Sequence, residues 1–215
     1  MVGSVPSAVC SAAAAILTVP LPRRPLDPED PADRIRGWYE NELGWPTVPG
    51  EPVRLLVGER FDVLDVPAEA GLAALRRLAP DSPVAVRGDR MRLLVAAGGA
   101  EEVPGILQWL EWGALPLDLT AIGAGELIEA PLPPPGGGRG RGRGPGPNRP
   151  GPVQGAAVWL RPPVAGCEAE ASLPTMSALG DVGGAPDLVR LVDTLATHCH
   201  RVRLRRASAQ PLAFS

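Results

Sequence analysis

Three arginines, Arg87, Arg90 and Arg92, surround one predicted hairpin, VAVRGDRMRLLV. Forked guanidinium groups so placed could contact phosphate oxygens. Alternation along a strand sets Arg90 and Arg92 on one side, as a solvated strand face would also do. Arg139, Arg141 and Arg143 form a Gly-Arg repeat. Such tracts associate with nucleic acid through charge and arginine stacking, although three arginines contribute modestly and a solubilising linker is the simpler role. Asp62 and Asp65 flank the apolar centre of FDVLDVP, and their odd spacing turns them to opposite faces of a strand. His198, Cys199 and His200, with distant Cys167, are the soft-ligand cluster; in a strand the two His share a face and Cys199 opposes them, so zinc is not expected and Cys199 reads as core. Trp109 and Trp112, at i, i+3 on one helix edge, read as packing or a partner surface.

The elements that must position these groups are bounded by composition. The 215 residues are 45% hydrophobic, enough for one modest core, but 26 Gly and 27 Pro require part of the chain to be linker. All 21 basic residues are Arg, a bias expected of a GC-rich genome, and the net charge of -3 restricts any polyanion site to a local patch. Three widely separated Cys (Cys10, Cys167, Cys199) give neither a disulfide framework nor a four-Cys zinc site. The stretch from Val5 to Leu21 is apolar, yet no positive residue precedes it and Pro20 and Pro22 end it, so neither a signal peptide nor a membrane span is expected. A cytoplasmic location follows as the expectation.

Along the chain, residues 1–32 are expected to form a flexible arm, because PLPRRPLDPEDPAD forbids a helix. Asp33 is the expected N-cap of a short helix running to Gly44 through Ile35, Trp38, Tyr39 and Leu43. Prolines 46, 49 and 52 mark turns, and residues 60–66 form a buried strand closed by Pro67. Residues 68–78 are helical by composition; 84–97 form a hairpin about Gly88-Asp89; 100–112 form a second helix stopped by Gly113. LPLDLTAIGAGELIEAPLP predicts strand, hairpin and strand turning at Gly123 and Gly125. The Gly/Arg/Pro-rich segment 133–152 is expected to be a disordered insert. Beyond it, 156–163 is a strand, 172–185 a loop, 186–197 a helix, 199–204 an alternating strand and 207–215 a tail. The fold class is α+β (mixed α/β) with antiparallel hairpins.

Three segments in this order resemble the N-terminal domain of bifunctional DNA primase/polymerases, the Prim-Pol branch of the archaeo-eukaryotic primase superfamily. WYENELGWPTVP is similar to that domain's opening helix and Gly-Trp-Pro turn, FDVLDVP to its strand bearing a metal-binding Asp-x-Asp, and LDLTAIGAGELIEAP to its late strand Asp, Gly-rich hairpin and Ala-Pro ending. With the 84–97 hairpin, the resemblance covers residues 33–135 and extends less clearly to 206. It implies two divalent cations held by carboxylates that clamp a triphosphate. Asp65 falls where the first carboxylate belongs, Pro67 where the second should be, Met91 or Arg92 where a His faces the phosphates, and Asp118 at the third acidic position, followed by Thr120 in place of a basic residue.

The implied protein is therefore a Prim-Pol-like domain, residues 33–206, with a degenerate site. It would act by binding single-stranded or primer-template DNA or a nucleotide, with Arg87, Arg90 and Arg92 as contacts, and no cofactor is expected. Two alternatives are an active metal-dependent nucleotidyltransferase using Asp62, Asp65 and Asp118, with Mg²⁺ or Mn²⁺ held at Asp65 and Asp118, and a scaffold for protein partners. No membrane partner is expected.

Overall fold

The computed structural model describes residues 30–134, 155–164, 172–176 and 187–208. Most of the expected arm, nearly all of the insert with Arg139, Arg141 and Arg143, Cys10, Cys167 and the end of the tail lie outside them. The protein is an α+β domain built on two antiparallel sheets. Helix α1 (Pro31–Gly37) continues as a π-helix (Trp38–Leu43) closed by left-handed Gly44. Its cap is Asp30, not Asp33: the Asp30 carboxylate accepts the Ala32 N–H at 2.8 Å. Pro31, which lacks an N–H and has φ preset for a helix, suits the first position. The expected arm thus loses its last residues to the helix.

The large sheet holds β3 (Phe61–Pro67), β4 (Val84–Arg87), β5 (Arg90–Ala96), β6 (Thr120–Ile122) and β8 (Val158–Arg161), in the order β6-β3-β5-β4-β8. With α2 (Ala68–Ala74, ending in a 3₁₀ turn at Leu75–Arg77) and α3 (Gly99–Trp109), the run β3-α2-β4-β5-α3-β6 is a split β-α-β arrangement. A small sheet, β1-β2-β7, joins β1 (Thr47–Val48), β2 (Arg54–Leu56) and β7 (Leu127–Glu129). Residues 47–56, read from prolines as turns, therefore carry two strands.

Two further expectations fail. Segments β6 and β7 do not pair with each other: β6 pairs with β3 (Leu64 opposite Ala121) and β7 with β2 (Leu55 opposite Ile128). The Gly123–Glu126 connection carries the chain from one sheet to the other, a path that a Gly-rich turn permits as readily as a hairpin. The predicted final strand 199–204 is helix: α4 runs unbroken over Leu188–Ser208. Its buried positions Leu188, Leu191, Leu195, Cys199 and Val202 keep helical spacing, and Leu204, which completed the apparent alternation, is 52% exposed. Asp187 caps α4 by accepting the Val189 N–H at 2.8 Å.

The large sheet buries both faces, which is why β3 is almost wholly inaccessible. Leu64, Val66, Met91, Leu93 and Val95 meet α2, α3 and α4. Phe61, Val63 and Leu94 meet α1, the small sheet and an aromatic cluster of Trp38, Tyr39, Trp45 and Trp159. The Tyr39 hydroxyl donates to the Pro131 carbonyl at 2.6 Å and accepts from Trp159 Nε1 at 3.0 Å. Burial pushes its pKa well above the ordinary phenol value. Gly71 lets α2 approach β5, since a Cβ there would run into the Met91 side chain. Among the described residues, no helix is long and apolar enough to cross a membrane.

Candidate functional site

The central pair β3 and β5 sets Asp65 directly opposite Arg92, and β3 pairs with β6 so that Asp65 also faces Thr120, two residues beyond Asp118. Side chains of one parity share a face. Asp65, Arg90, Arg92 and Asp118 consequently gather at one end of the sheet.

There they form an alternating chain of charges. Arg90 Nε lies 2.5 Å from Asp65 Oδ1, and Arg90 Nη1 lies 2.5 Å from Asp118 Oδ1. Arg90 Nη2 donates to the Asp65 carbonyl at 2.9 Å. Arg92 Nε lies 3.0 Å from Asp65 Oδ2, and Arg206 Nη1 of α4 closes the chain 3.5 Å from Asp118 Oδ2. The Arg92 and Asp65 side chains are 11% and 13% exposed, so this pair is largely desolvated, whereas Asp118 and Arg206 at the far end of the chain are 44% and 59% exposed. Burial alone would lower the Arg90 pKa, but its hydrogen bonds and charge contacts to Asp65 and Asp118 hold it above the usual guanidinium value. Nη1 of Arg92 is buried without a hydrogen-bond partner. The two carboxylates that the nucleotidyltransferase alternative assigns to a metal are thus bridged by a guanidinium, and Arg90 and Arg92, expected as phosphate ligands, are both ion-paired to Asp65.

The remaining expected residues go elsewhere. Asp62 points to the opposite, helical face, where its buried carboxylate accepts the Ala100 N–H of α3 at 2.9 Å. No side chain of the Gly98 cap closes that helix, so Asp62 does so from the sheet, and its negative charge suits the helix N-terminus. Burial nevertheless raises its pKa, against the backbone hydrogen bonds from Ala100 and Gly98. Arg87 pairs with Glu129 of β7 at 3.0 Å and so ties the two sheets. Arg161 donates to the Ala79 carbonyl at 3.3 Å. Arg87, Arg90 and Arg92 therefore do not converge on one point; of the three, Arg90 and Arg92 share a partner. Nor do Arg90 and Arg92 form a solvated face, because Arg92 is buried.

The His-Cys-His run is helical, so His198 and His200 take different flanks of α4. His200 lies against Trp112, ring centres 5.9 Å apart, and Trp112 donates to Asp193 at 3.2 Å. Trp112 lies beyond the end of α3 and faces α4, whereas Trp109 stands 74% exposed, so the two do not share a helix edge. The Cys199 thiol is buried 3.5 Å from the Asp118 carbonyl, and burial, reinforced by the Asp118 charge, pushes its pKa up to about 12, which keeps it protonated. Among the described residues, no group of three or more His, Cys, Asp or Glu could hold a metal ion.

Beside the charge chain, α3 and β6 enclose an apolar groove of about 810 Å³ lined by Val103, Leu107, Leu119 and Ala121. Sequence reasoning missed it, because it depends on the sharp turn after α3 at Glu111, where φ is +64°. The sequence also did not mark α4 as a contributor of Arg206 to the site. Its RVRLRR run was the available signal, hidden by the strand assignment. No protein-family model, no curated protein and no solved structure matches this chain.

Proposed function

We propose that this is a Prim-Pol-like nucleic-acid-binding or nucleotide-binding domain, working in the cytoplasm, that does not polymerise. One observation carries the reading: the Arg90 guanidinium bridges Asp65 and Asp118, the two positions at which the resemblance implies metal-ligating carboxylates. A fixed cation between two acids repels a divalent ion and occupies the oxygens it would need. Two-metal clamping of a triphosphate has no ligand set of the required size there, and Asp62, the remaining acid of the alternative, is turned to the other face. The split β-α-β sheet agrees with a binding domain, although fold alone never assigns function.

The test is fluorescence anisotropy of labelled single-stranded and primer-template DNA, with and without Mn²⁺ and nucleotide, across a salt series, alongside a primer-extension assay. Salt-sensitive binding without nucleotide incorporation supports the proposal. Template-dependent incorporation that disappears in Asp118→Asn overturns it in favour of the nucleotidyltransferase. Absence of binding at low salt also overturns it and favours the protein scaffold, for which the groove beside α3 and the exposed Trp109 are the specific support.

A further inference from the structure

The arginines of the β4–β5 hairpin are matched by carboxylates, whereas two exposed arginines on the flank where α2 and α4 pack, Arg76 and Arg201, are not matched among the described residues. The run RVRLRR at 201–206 places four arginines and no acid on the last turns of α4. Two of them serve the fold: Arg203 donates to the Pro116 carbonyl, and Arg206 meets Asp118 and Asp89. Arg201 and Arg205, one turn apart, occupy the other flank, which packs along α2. Arg76 and Arg77, in the 3₁₀ turn ending α2, are exposed on the same side, and Arg77 Nε donates to Thr194 Oγ1 of α4 at 3.3 Å. Between them sits His198, whose pKa is lowered by burial and then by Arg201, Arg76 and Arg205, with Glu69 opposing. The Arg77–Thr194 hydrogen bond and the contact of Arg205 with Glu69 of α2 hold these guanidinium groups along one flank of the α2–α4 pair.

Glu69 lies 2.5 Å from Arg205, with side chains 56% and 63% exposed. Such a surface pair contributes little and is readily exchanged. Arg76 and Arg201 have no acidic partner among the described residues. A helix C-terminus favours cations through its dipole, which accounts for arginines at the end of α4 and at the end of α2 taken singly, but not for the packing that sets Arg76 and Arg201 along one flank.

We propose that the α2–α4 ridge of Arg76, Arg201 and Arg205 binds the phosphate backbone of single-stranded nucleic acid. This rests on the binding function proposed above and places the contact away from the ion-paired β4–β5 hairpin. In a chain of net charge -3 only such a local patch can attract a polyanion. Helix α4 lies with its apolar stripe on the core and against α2, so it cannot enter a duplex groove and offers backbone contacts instead. Leu72, one turn before Arg76, and Leu204, beside Arg205, are 57% and 52% exposed and supply apolar surface for unstacked bases. Two isolated leucines are too little to insert into a lipid surface.

The test compares the intact chain with Arg76→Glu/Arg201→Glu in anisotropy titrations of a fluorescein-labelled 20-mer of deoxythymidine from about 25 to 300 mM NaCl. A control with the same change of net charge, Arg34→Glu/Arg54→Glu, alters exposed arginines of α1 and β2. Each lost phosphate contact flattens the single-strand salt slope by about 0.7, so the ridge variant is expected to lose about 1.4 in slope and at least tenfold in affinity near 50 mM salt, with the control changed less than threefold. Circular dichroism verifies folding, and Arg76→Gln/Arg201→Gln replaces the reversal if that variant does not fold. Equal losses in both variants, or none in either while the wild type binds, overturn the ridge and leave the binding function standing. Failure of the wild type to bind removes both. Ridge-dependent binding to vesicles with 30% phosphatidylserine, without DNA binding, also overturns the proposal.

Discussion

Removing the Asp65 carboxylate should cost more than removing either arginine it holds. Asp65 accepts from Arg90 Nε and Arg92 Nε with a side chain 13% exposed. Each such charge-assisted bond contributes about 1.5–3 kcal/mol, and breaking a fully buried pair from one side costs about 3–5 kcal/mol, because the partner is left charged and dry. In Asp65→Ala, Arg90 keeps Asp118, whereas Arg92, whose Nη1 already lacks a partner, loses its counter-ion. The expected loss is about 3 kcal/mol, below the additive value because one orphan is created, not two. In Arg90→Ala, Asp65 keeps Arg92, and the 27% exposure of Arg90 reduces the loss to about 1–2 kcal/mol. Urea denaturation followed by circular dichroism measures both, and because the pair is shielded, 0.5 M NaCl should recover little of the difference. An Asp65→Ala variant within 0.5 kcal/mol of wild type, or less destabilised than Arg90→Ala, would refute the reasoning.

Gly71→Ala forces a Cβ into Met91 and should lower stability by about 1–3 kcal/mol, read as a fall in Tm of several degrees; an unchanged Tm would show that the core yields there. Tyr39→Phe leaves the Pro131 carbonyl and Trp159 Nε1 without their partner and should cost about 2 kcal/mol by the same denaturation assay. Asp62 has a pKa raised from 3.8 by burial, so the proton is held more tightly in the folded state. Its contribution is fully present below the unfolded value and is lost as the pH rises through the elevated one. The stability of wild type relative to Asp62→Asn should therefore decline from about pH 3.8 upward, and a difference that is flat with pH contradicts this sign.

How much was legible follows from which interactions are local. The β3 strand, the 84–97 hairpin and the α2 and α3 helices showed themselves because their period-two or 3.6-residue patterns lie within one segment. For α4 the helical stripe through Cys199 and Val202 was overridden by a local Val202–Leu204 alternation, although the stripe spans about four turns. The β6 and β7 partners could not be read because a strand's pairing is settled by what packs on it, and β7 completes the aromatic layer through Ile128. At the site, the residue types were readable, and so were the opposite faces of Asp62 and Asp65; that Asp118 joins Asp65 depends on the β3–β6 pairing. That Arg90 and Arg92 satisfy those acids depends on the Asp65–Arg92 register, a fact of strand order.

The two sheets are stitched by a pair of neighbouring crossings. The segment from β2 to β3 passes beside the one from β6 to β7, and they exchange hydrogen bonds, with Val57 N–H donating to the Glu126 carbonyl at 2.9 Å and Gly125 N–H to the Val57 carbonyl at 3.2 Å. Gly58, at φ +100°, presses against Ala124 where a side chain would not fit. Neither sheet can open without tearing the double seam that also anchors the other. The aromatic layer and the helical layer should consequently exchange their amide protons as one cooperative foldon, with β2, β3, β5 and β7 showing a common opening energy and no intermediate in which the small sheet has peeled away.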